Sequence, residues 1–467
     1  MDFQVDFDVL VIGAGVAGLQ AAHDLAAHGL TVGIVEARDR IGGRIYTIRP
    51  TGADLPVDLG AEFVHGRPPE TFEIAHRAGL TIYEQSGATW AADAGRLQSG
   101  EADADADQYT DEDVREADSE ADGVEDAASS TAQAYQQSER NIDAILAAIR
   151  SWRGEDRSFQ AFALEQFPGE EWAAARQRAS AYVAGFDAAD PERVSIQWLR
   201  QTEQAAASVE GDEHQCRLLG GYDLLPLAVR SSLDPQHTRL HLNTTLRELR
   251  WSRRQVEAIV ATTSPAAAGT NATLTARAAV ITLPLGVLAA SLAPDVSGDQ
   301  RHEAGVVRFL PHLPQKRATL EGLAMGHACK VVLRFRERFW DMPLLSPHGD
   351  RARLSTRSPL AAPVLQRLSF LYASDEAFPT WWTHYPLLTP RLTAWAGGPR
   401  AAPFAALTDE ALADRALASL ANALGMPRGR LDAQLDAWHV HNWSADPFAR
   451  GAYSWVCVGG MQAPRQL

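Results

Sequence analysis

The chain has 467 residues, of which 46% are hydrophobic, and its formal net charge is −16. This length and composition predict two or three domains with a large core. The acidity argues against binding to nucleic acid, which needs a positive surface, and against association with an anionic membrane. Three widely spaced cysteines (Cys216, Cys329 and Cys457) form neither a disulfide framework nor a zinc motif. We therefore expect a reducing, cytoplasmic location and no metal site.

Most of the negative charge comes from one stretch of the chain. Between Asp93 and Asp126 there are 14 acidic and two basic residues, so this stretch carries −12 and the rest only about −4. Its composition offers too little apolar surface to offset the entropy of ordering. We predict a disordered insertion over residues 93–129. The alternative is that the insertion attracts cationic substrates or partners.

The first predicted elements form a βαβ unit of about 30 residues. The apolar, β-branched run Asp8–Ile12 is typical of a strand buried on both faces. A glycine-rich turn over residues 13–18 follows, and apolar residues then recur at helical spacing until Gly29 ends the helix. A second buried strand is predicted over Thr31–Val35.

The spacing Gly13-x-Gly15-x-x-Gly18 after a strand is typical of a dinucleotide site. Gly13 permits the tight turn, Gly15 lets the backbone approach a pyrophosphate, and Gly18 lets the helix pack closely on the strand. The phosphates then lie at the N-terminus of the helix. Glu36 ends the second strand, where a carboxylate accepts hydrogen bonds from a ribose diol and repels a 2′-phosphate. An NADP-type ligand is therefore disfavoured, while FAD and NAD both remain open at this point.

Later elements are weaker signals. Residues 135–207 are mainly helical in pattern. Strands are then predicted at Leu240–Leu242, Thr245–Leu246, Val256–Val260, Ala279–Ile281 and Lys330–Phe335. A late helix is predicted over Ala411–Leu424.

Two segments near the N-terminus carry a family resemblance. Glu36–Arg44 resembles the second phosphate-contacting loop of flavoproteins with a glutathione-reductase-like FAD domain. Asp58–Gly66 resembles the flavin-ring segment of the FAD-dependent amine oxidases, the family of monoamine and polyamine oxidases. The resemblance implies FAD as the cofactor. The residues it implies as FAD contacts, together with the glycine turn, are Gly13, Gly15, Gly18, Glu36, Ala37, Arg38, Gly42, Gly43, Arg44, Gly60, Ala61, Glu62 and Leu246.

The resemblance extends over most of the chain and implies its domain organisation. We expect an α/β fold, with a glutathione-reductase-like Rossmann FAD-binding domain and an α+β substrate domain. The FAD-binding domain is expected to come from residues 1–92, 215–293 and 435–467. The substrate domain is expected to come from residues 130–214 and 294–434.

The family resemblance also implies the chemistry. Members transfer a hydride equivalent from the α-carbon of an amine to FAD, water hydrolyses the imine, and dioxygen reoxidises the flavin to give hydrogen peroxide. Lys330 matches the family lysine that holds a water against the reactive flavin nitrogen. It is one of only two lysines in the chain, the other being Lys316. The alternative is a strand-end lysine that extends to solvent.

Three further residues are candidates for the substrate site. His65 matches a position that faces the substrate tunnel in polyamine oxidases, or is a structural histidine. Glu62 contacts the cationic amine or satisfies local backbone donors. Tyr453 resembles one wall of the aromatic cage of monoamine oxidases, with core packing as the alternative. Ala452 stands where monoamine oxidases carry the cysteine that bonds to the flavin, so we predict non-covalent FAD.

The family normally ends with a further strand, turn and helix of the FAD domain. The sequence ends at Leu467, before that segment would begin, so we expect it to be missing from this chain. The predicted function is oxidative deamination of a primary or secondary amine, with polyamines among the candidates. The alternatives are an L-amino-acid oxidase of the same superfamily and a truncated, catalytically silent flavoprotein.

Overall fold

The computed structural model describes residues 5–93, 95–99, 141–209, 211, 214–263, 270–293, 303–342 and 365–467. The expected acidic insertion at 93–129 lies outside the described residues, apart from its first few positions. None of the described helices has both the length and the apolar character that a membrane span requires.

The described strands number 21 and are mostly short. They are β1 (Phe7–Ile12), β2 (Val32–Val35), β3 (Thr47–Ile48), β4 (Val57–Asp58), β5 (Val64–His65), β6 (Ile82–Glu84), β7 (Ala88–Asp93), β8 (Arg96–Ser99), β9 (Gln215–Leu218), β10 (Thr238–His241), β11 (Thr244–Ser252), β12 (Gln255–Thr262), β13 (Asn271–Ile281), β14 (Arg308–Leu310), β15 (Leu323–Met325), β16 (Ala328–Phe335), β17 (Leu368–Tyr372), β18 (Thr380–Trp382), β19 (Arg391–Gly397), β20 (Leu435–Val440) and β21 (Ser454–Val456).

Several described helices begin at a polar N-cap. The side chains of Ser158, Ser195 and Thr408 each accept a hydrogen bond from a backbone N–H in the first turn of the helices Phe159–Gln166, Ile196–Ala206 and Asp409–Ala423 respectively. The described helices are α1 (Val16–Ala27), α2 (Pro69–Arg77), α3 (141–151), α4 (Phe159–Gln166), α5 (Ala173–Phe186), α6 (Ile196–Ala206), α7 (Leu224–Ser231), α8 (Leu285–Ser291), α9 (Pro314–Leu320), α10 (Asp409–Ala423), α11 (Arg428–Gln434) and α12 (Ala463–Gln466).

The first large sheet has seven strands in the order β10-β2-β1-β13-β12-β11-β14. Strands β10, β2, β1 and β13 are parallel, and β1, α1 and β2 match the βαβ unit predicted from the sequence. In the register of these strands Ile12 lies between Val35 and Ile281. Their carboxyl ends therefore meet at one edge, which is where ligands bind in sheets of this kind.

The second large sheet also has seven strands, in the order β20-β16-β19-β18-β17-β7-β8. One face packs against α10 in a core that includes the fully buried Trp340 and Trp381. A smaller sheet has the strand order β5-β9-β6. In the sequence, its strands come between strands of the first sheet and strands of the second. Together these sheets confirm the expected mixed α/β architecture.

Four strands lie outside the domain in which the sequence predicted them. β7 belongs to the range 1–92 and β20 to 435–467, yet both lie in the second sheet, as does β8 from the start of the predicted insertion. β14 belongs to 294–434 but pairs with β11 in the first sheet. The expected boundaries follow from short segments that resemble the family, whereas strand pairing depends on contacts between residues that are distant in the chain.

Candidate active site

A cleft of about 300 Å³ opens at the edge of the first sheet where the carboxyl ends of β1 and β2 meet. Its walls come from the start of α1, the loop after β2, the start of β11 and the turn after β13. The cleft is thus built from segments that are far apart in the chain. Ten of the predicted FAD contacts line it: Gly13, Gly15, Glu36, Ala37, Arg38, Gly42, Gly43, Arg44, Ala61 and Leu246.

The glycine turn forms the wall at the start of α1. Gly13 has φ +110°, which strongly favours glycine, and a Cβ on Gly18 would lie 1.9 Å from the Gly13 carbonyl oxygen. A Cβ on Gly15 would meet no heavy atom within 4 Å, so it would project into the open cleft. Helix α1 has no side-chain N-cap and no acidic residue in its first turn. Its free N–H groups and dipole therefore suit a diphosphate.

Glu36 lies at the bottom of the cleft and is buried. Its two carboxylate oxygens accept hydrogen bonds from the backbone N–H groups of Ala14 and Arg38, both at 2.9 Å. These bonds fix the carboxylate where the second strand ends. Each oxygen retains a further lone pair, which fits the predicted contact with a ribose diol.

Three arginines of the loop after β2 contact other protein groups and so hold this loop in place. Arg38 forms an ion pair of 2.7 Å with Asp446, which His441 also contacts at 2.8 Å. Arg40 stacks on Tyr46 and donates to three carbonyl oxygens of its own loop. Sequence reasoning missed this structural role. The predicted diphosphate contact Arg44 donates to the Ala452 carbonyl oxygen, which joins the cleft to the chain before Tyr453.

Three predicted FAD contacts do not line this cleft. Gly18 packs against Gly13, the packing role predicted for it. Gly60 is also a packing position, because a Cβ there would lie 2.0 Å from the Arg44 carbonyl oxygen. Glu62 lies against Lys330 and does not line the cleft, although its neighbour Ala61 does.

Lys330 and Glu62 form a buried ion pair. Lys330 is only 3% exposed, so it does not extend to solvent as the alternative reading required. Its Nζ donates to the Gly60 carbonyl oxygen at 2.7 Å and to Glu62 Oε2 at 3.0 Å. Both acceptors belong to the short loop that includes Ala61, so the ammonium lies close to the cleft.

The other carboxylate oxygen of Glu62 has three partners of its own. Arg217 Nη1 lies 2.8 Å from Oε1, the Trp382 indole N–H donates to it at 3.3 Å, and His384 Nε2 is 3.5 Å away. Burial alone would raise the pKa of Glu62, but Arg217, Lys330 and His384 lower it to about 2. Burial, together with Arg217, holds the pKa of His384 well below its usual value. Glu62 is therefore ionised and His384 neutral at pH 7.

Aromatic rings lie beside this ion pair. Trp395 lies opposite Lys330 in the pairing of β16 with β19, and its ring neighbours Trp382 at 6.2 Å and Tyr453 at 6.0 Å. Tyr453 is 43% exposed, yet burial raises its pKa to about 12. Its ring is therefore accessible as well as packed against protein. Its role as a cage wall stays a prediction.

His65 lies beside two other aromatic rings. It neighbours Phe186 at 5.2 Å between ring centroids and Phe63 at 6.1 Å. Burial lowers its pKa, although a hydrogen bond with Gln215 acts in the other direction. The neutral form therefore dominates at pH 7, so His65 offers a hydrogen-bonding ring rather than a charge.

Acidic residues that the sequence did not single out lie beyond Phe186. Burial, with a contribution from Glu203, raises the pKa of Asp187 to about 7. The negative charge of Asp187 acts on the rings of both Tyr182 and Tyr453, so it lies near both. No local motif marks these residues; the only signal was an acidic residue directly after an aromatic one at the end of a helix.

Comparison with known proteins agrees with this geometry. The profile of the family described as flavin containing amine oxidoreductase matches residues 16–466. Probable polyamine oxidase 4 of Arabidopsis thaliana is 28% identical over 466 residues, which is 97% of this chain and 77% of the relative. Polyamine oxidase 2 of the same plant is 27% identical over 457 residues, 97% of this chain and 78% of the relative.

Solved structures agree on the fold. Wild-type putrescine oxidase bound to putrescine has a TM-score of 0.65 at 20% identity, and the match covers 97% of this chain and 89% of that one. Cyclohexylamine oxidase from Brevibacterium oxydans IH-35A has a TM-score of 0.63 at 21% identity, with 98% and 89% covered. The fold is therefore a Rossmann-like FAD-binding domain with a substrate domain. Because the family profile matches almost its whole length, the chain belongs to the flavin-containing amine oxidoreductases and is a FAD-dependent amine oxidase.

Proposed function

We propose that this enzyme oxidises an aliphatic amine that carries a second cationic group, a diamine or polyamine, at one of its primary or secondary nitrogens. The observation that carries the proposal is the group of aromatic rings beside Lys330, together with the acidic residue Asp187, whose charge acts on one of these rings, Tyr453. The bound flavin supplies the hydride acceptor, and dioxygen regenerates it with release of hydrogen peroxide.

The aromatic rings suit the reacting end of such a substrate. Trp395 and Tyr453 present ring faces over which an amine and its α-carbon can lie, and cationic amines are attracted to such faces. Neutral His65 adds a hydrogen-bonding group without adding a competing positive charge. In this proposal Lys330 contributes an N–H donor, held by the loop over residues 60–62.

The acidic end suits the second cation. Asp187 acts electrostatically on Tyr182 and Tyr453, and Glu203 contributes further negative charge nearby. A bound ammonium would favour the ionised form of Asp187, so substrate affinity should rise as the pH increases through about 7. The same carboxylates would repel an α-carboxylate, which disfavours L-amino acids.

The names of similar proteins also support the proposal. The similar plant proteins are named polyamine oxidases, and a structure with the same fold is a putrescine oxidase bound to putrescine.

The test compares butane-1,4-diamine with butan-1-amine in a peroxide-release assay. The diamine should have the higher kcat/KM, and Asp187→Asn should raise its KM by about 10- to 100-fold, which corresponds to one charge-assisted hydrogen bond. Asp190→Asn is the matched control, because it removes an equal charge from the same loop and its carboxylate instead accepts from the Glu192 backbone. Equal kcat/KM for both amines, equal effects of the two variants, or activity only on L-amino acids would each contradict the proposal.

A further inference from the structure

The loop over residues 60–62 supplies both acceptors of the Lys330 ammonium. The Gly60 carbonyl oxygen is neutral, whereas Glu62 supplies a full negative charge. Two acceptors from one short segment fix the direction of the ammonium as well as its position. Among the described residues these are its hydrogen-bond acceptors, so its third N–H is left for a water or a ligand of the neighbouring cleft.

Glu62 also neutralises two buried cations at once. Lys330 and Arg217 are each about 3% exposed at their side chains, and both contact the Glu62 carboxylate. Burying a charge without a partner costs several kcal/mol. Glu62 is therefore the shared counter-ion of both cations, and Lys330 is the one of the two that also bonds to the loop over residues 60–62.

We propose that Glu62 is a positioning residue that fixes the Lys330 Nζ beside the cleft. The consequence for turnover rests on the proposed function, whereas the position of Lys330 does not. The arrangement assigns Lys330 the role of an N–H donor whose direction the loop over residues 60–62 fixes.

Other titratable groups face this cluster. Burial and the proximity of Glu62 raise the pKa of Asp58 to about 6, so it is ionised above pH 8. Burial raises the pKa of Tyr83, and His384 is neutral, so neither group is charged near pH 8. Arg391 acts on His384 as a further cation. A change in the NMR signal of Lys330 above pH 8 therefore does not overlap with the titration of Asp58 or His384.

The rarity of lysine makes the test direct. Protein labelled with ¹³C and ¹⁵N only at lysine contains two side-chain signals, from Lys316 and Lys330. Lys316 lies on α9 and bonds to the Gln466 carbonyl oxygen at 2.7 Å, away from the cluster, so it is an internal reference. NMR titration with and without FAD then reports the pH at which each lysine loses its proton.

The two charge variants should act in opposite directions. Glu62→Gln should make Lys330 lose its proton at a pH lower by about 1 to 3 than in the wild type, since an opposite charge is removed. Arg217→Gln should move this midpoint upward, because a like charge is removed. Trp382→Phe, which removes one hydrogen bond to Glu62 but no charge, is the matched control and should leave it unchanged. A purely structural role would not produce shifts of opposite sign.

An unchanged midpoint in Glu62→Gln would overturn the proposal. If Glu62→Gln does not fold, Glu62→Asp decides, because it keeps the charge but draws the carboxylate away from Lys330 Nζ; a midpoint equal to that of the wild type would then overturn the proposal. In stopped-flow experiments with a reducing amine, Glu62→Gln should also displace the pH dependence of flavin reduction. A wild-type protein that oxidises no amine would count against the proposed function alone, because the NMR titration needs no substrate.

Discussion

Gly15→Ala separates the role of the glycine turn in binding from its role in folding. Gly15 has φ −70° and ψ 175°, a backbone conformation that alanine adopts without strain. An added Cβ would meet no heavy atom of the protein within 4 Å. We therefore expect the free energy of unfolding of the apoprotein to change by less than about 0.5 kcal/mol.

The effect on FAD should be large, because the same Cβ fills the space into which a diphosphate would enter. Keeping the diphosphate at a distance removes about two charge-assisted hydrogen bonds from backbone N–H groups, each of about 1.5–3 kcal/mol. FAD affinity should then fall by at least about 100-fold. Titration of the apoprotein followed by quenching of flavin fluorescence measures this loss, and urea denaturation measures stability.

Gly29→Ala is the matched control at the other end of α1. Gly29 has φ +78° and also has no heavy atom within 4 Å of an added Cβ. Alanine at this backbone angle costs about 1 kcal/mol of stability, while FAD binding should be unchanged. Wild-type FAD affinity in Gly15→Ala would refute the placement of the diphosphate at the N-terminus of α1.

Three further outcomes are expected. Because alanine at position 452 offers no nucleophile, acid precipitation should release all FAD into the supernatant, and flavin in the pellet would contradict this. Asp446→Asn breaks the largely buried ion pair with Arg38 and should lower the free energy of unfolding by about 3 kcal/mol in urea denaturation; an unchanged midpoint would show that the pair is not stabilising. The raised pKa of Asp187 means that the folded state binds its proton more tightly, so this residue destabilises the protein as the pH rises above about 4 and most above 7. Asp187→Asn should therefore increase stability more at pH 8 than at pH 5, and a larger gain at pH 5 would contradict the sign.

Local chemistry explains what the sequence could predict. The glycine turn, the buried strands around it and Glu36 are all adjacent in the chain, and their spacing alone indicates a nucleotide cleft. The scarcity of lysine and the family resemblance directed attention to Lys330, which the structure finds buried beside the cleft. The position of the cleft could be predicted because it depends on short segments, whereas the role of Lys330 stays a prediction.

Long-range contacts explain what the sequence could not predict. Glu62 meets Arg217, His384 and Lys330 only after three separate parts of the chain have folded together. Asp187 is likewise marked only by the burial that the surrounding helices and rings create. Within its own segment, no motif distinguishes any of these charged residues from the others.

The pairing of β1 with β13 also bears on how the protein is made. Ile12 lies beside Ile281, whose codon the ribosome reaches about 270 residues later. At roughly 5–20 residues per second, β1 waits for about 15–50 s before this neighbour exists. During that time the nascent chain presents an apolar parallel ribbon with unpaired backbone groups, a template for pairing with other nascent chains. Slower elongation before codon 281 should therefore lower the soluble yield, and chaperones that bind nascent chains should restore it.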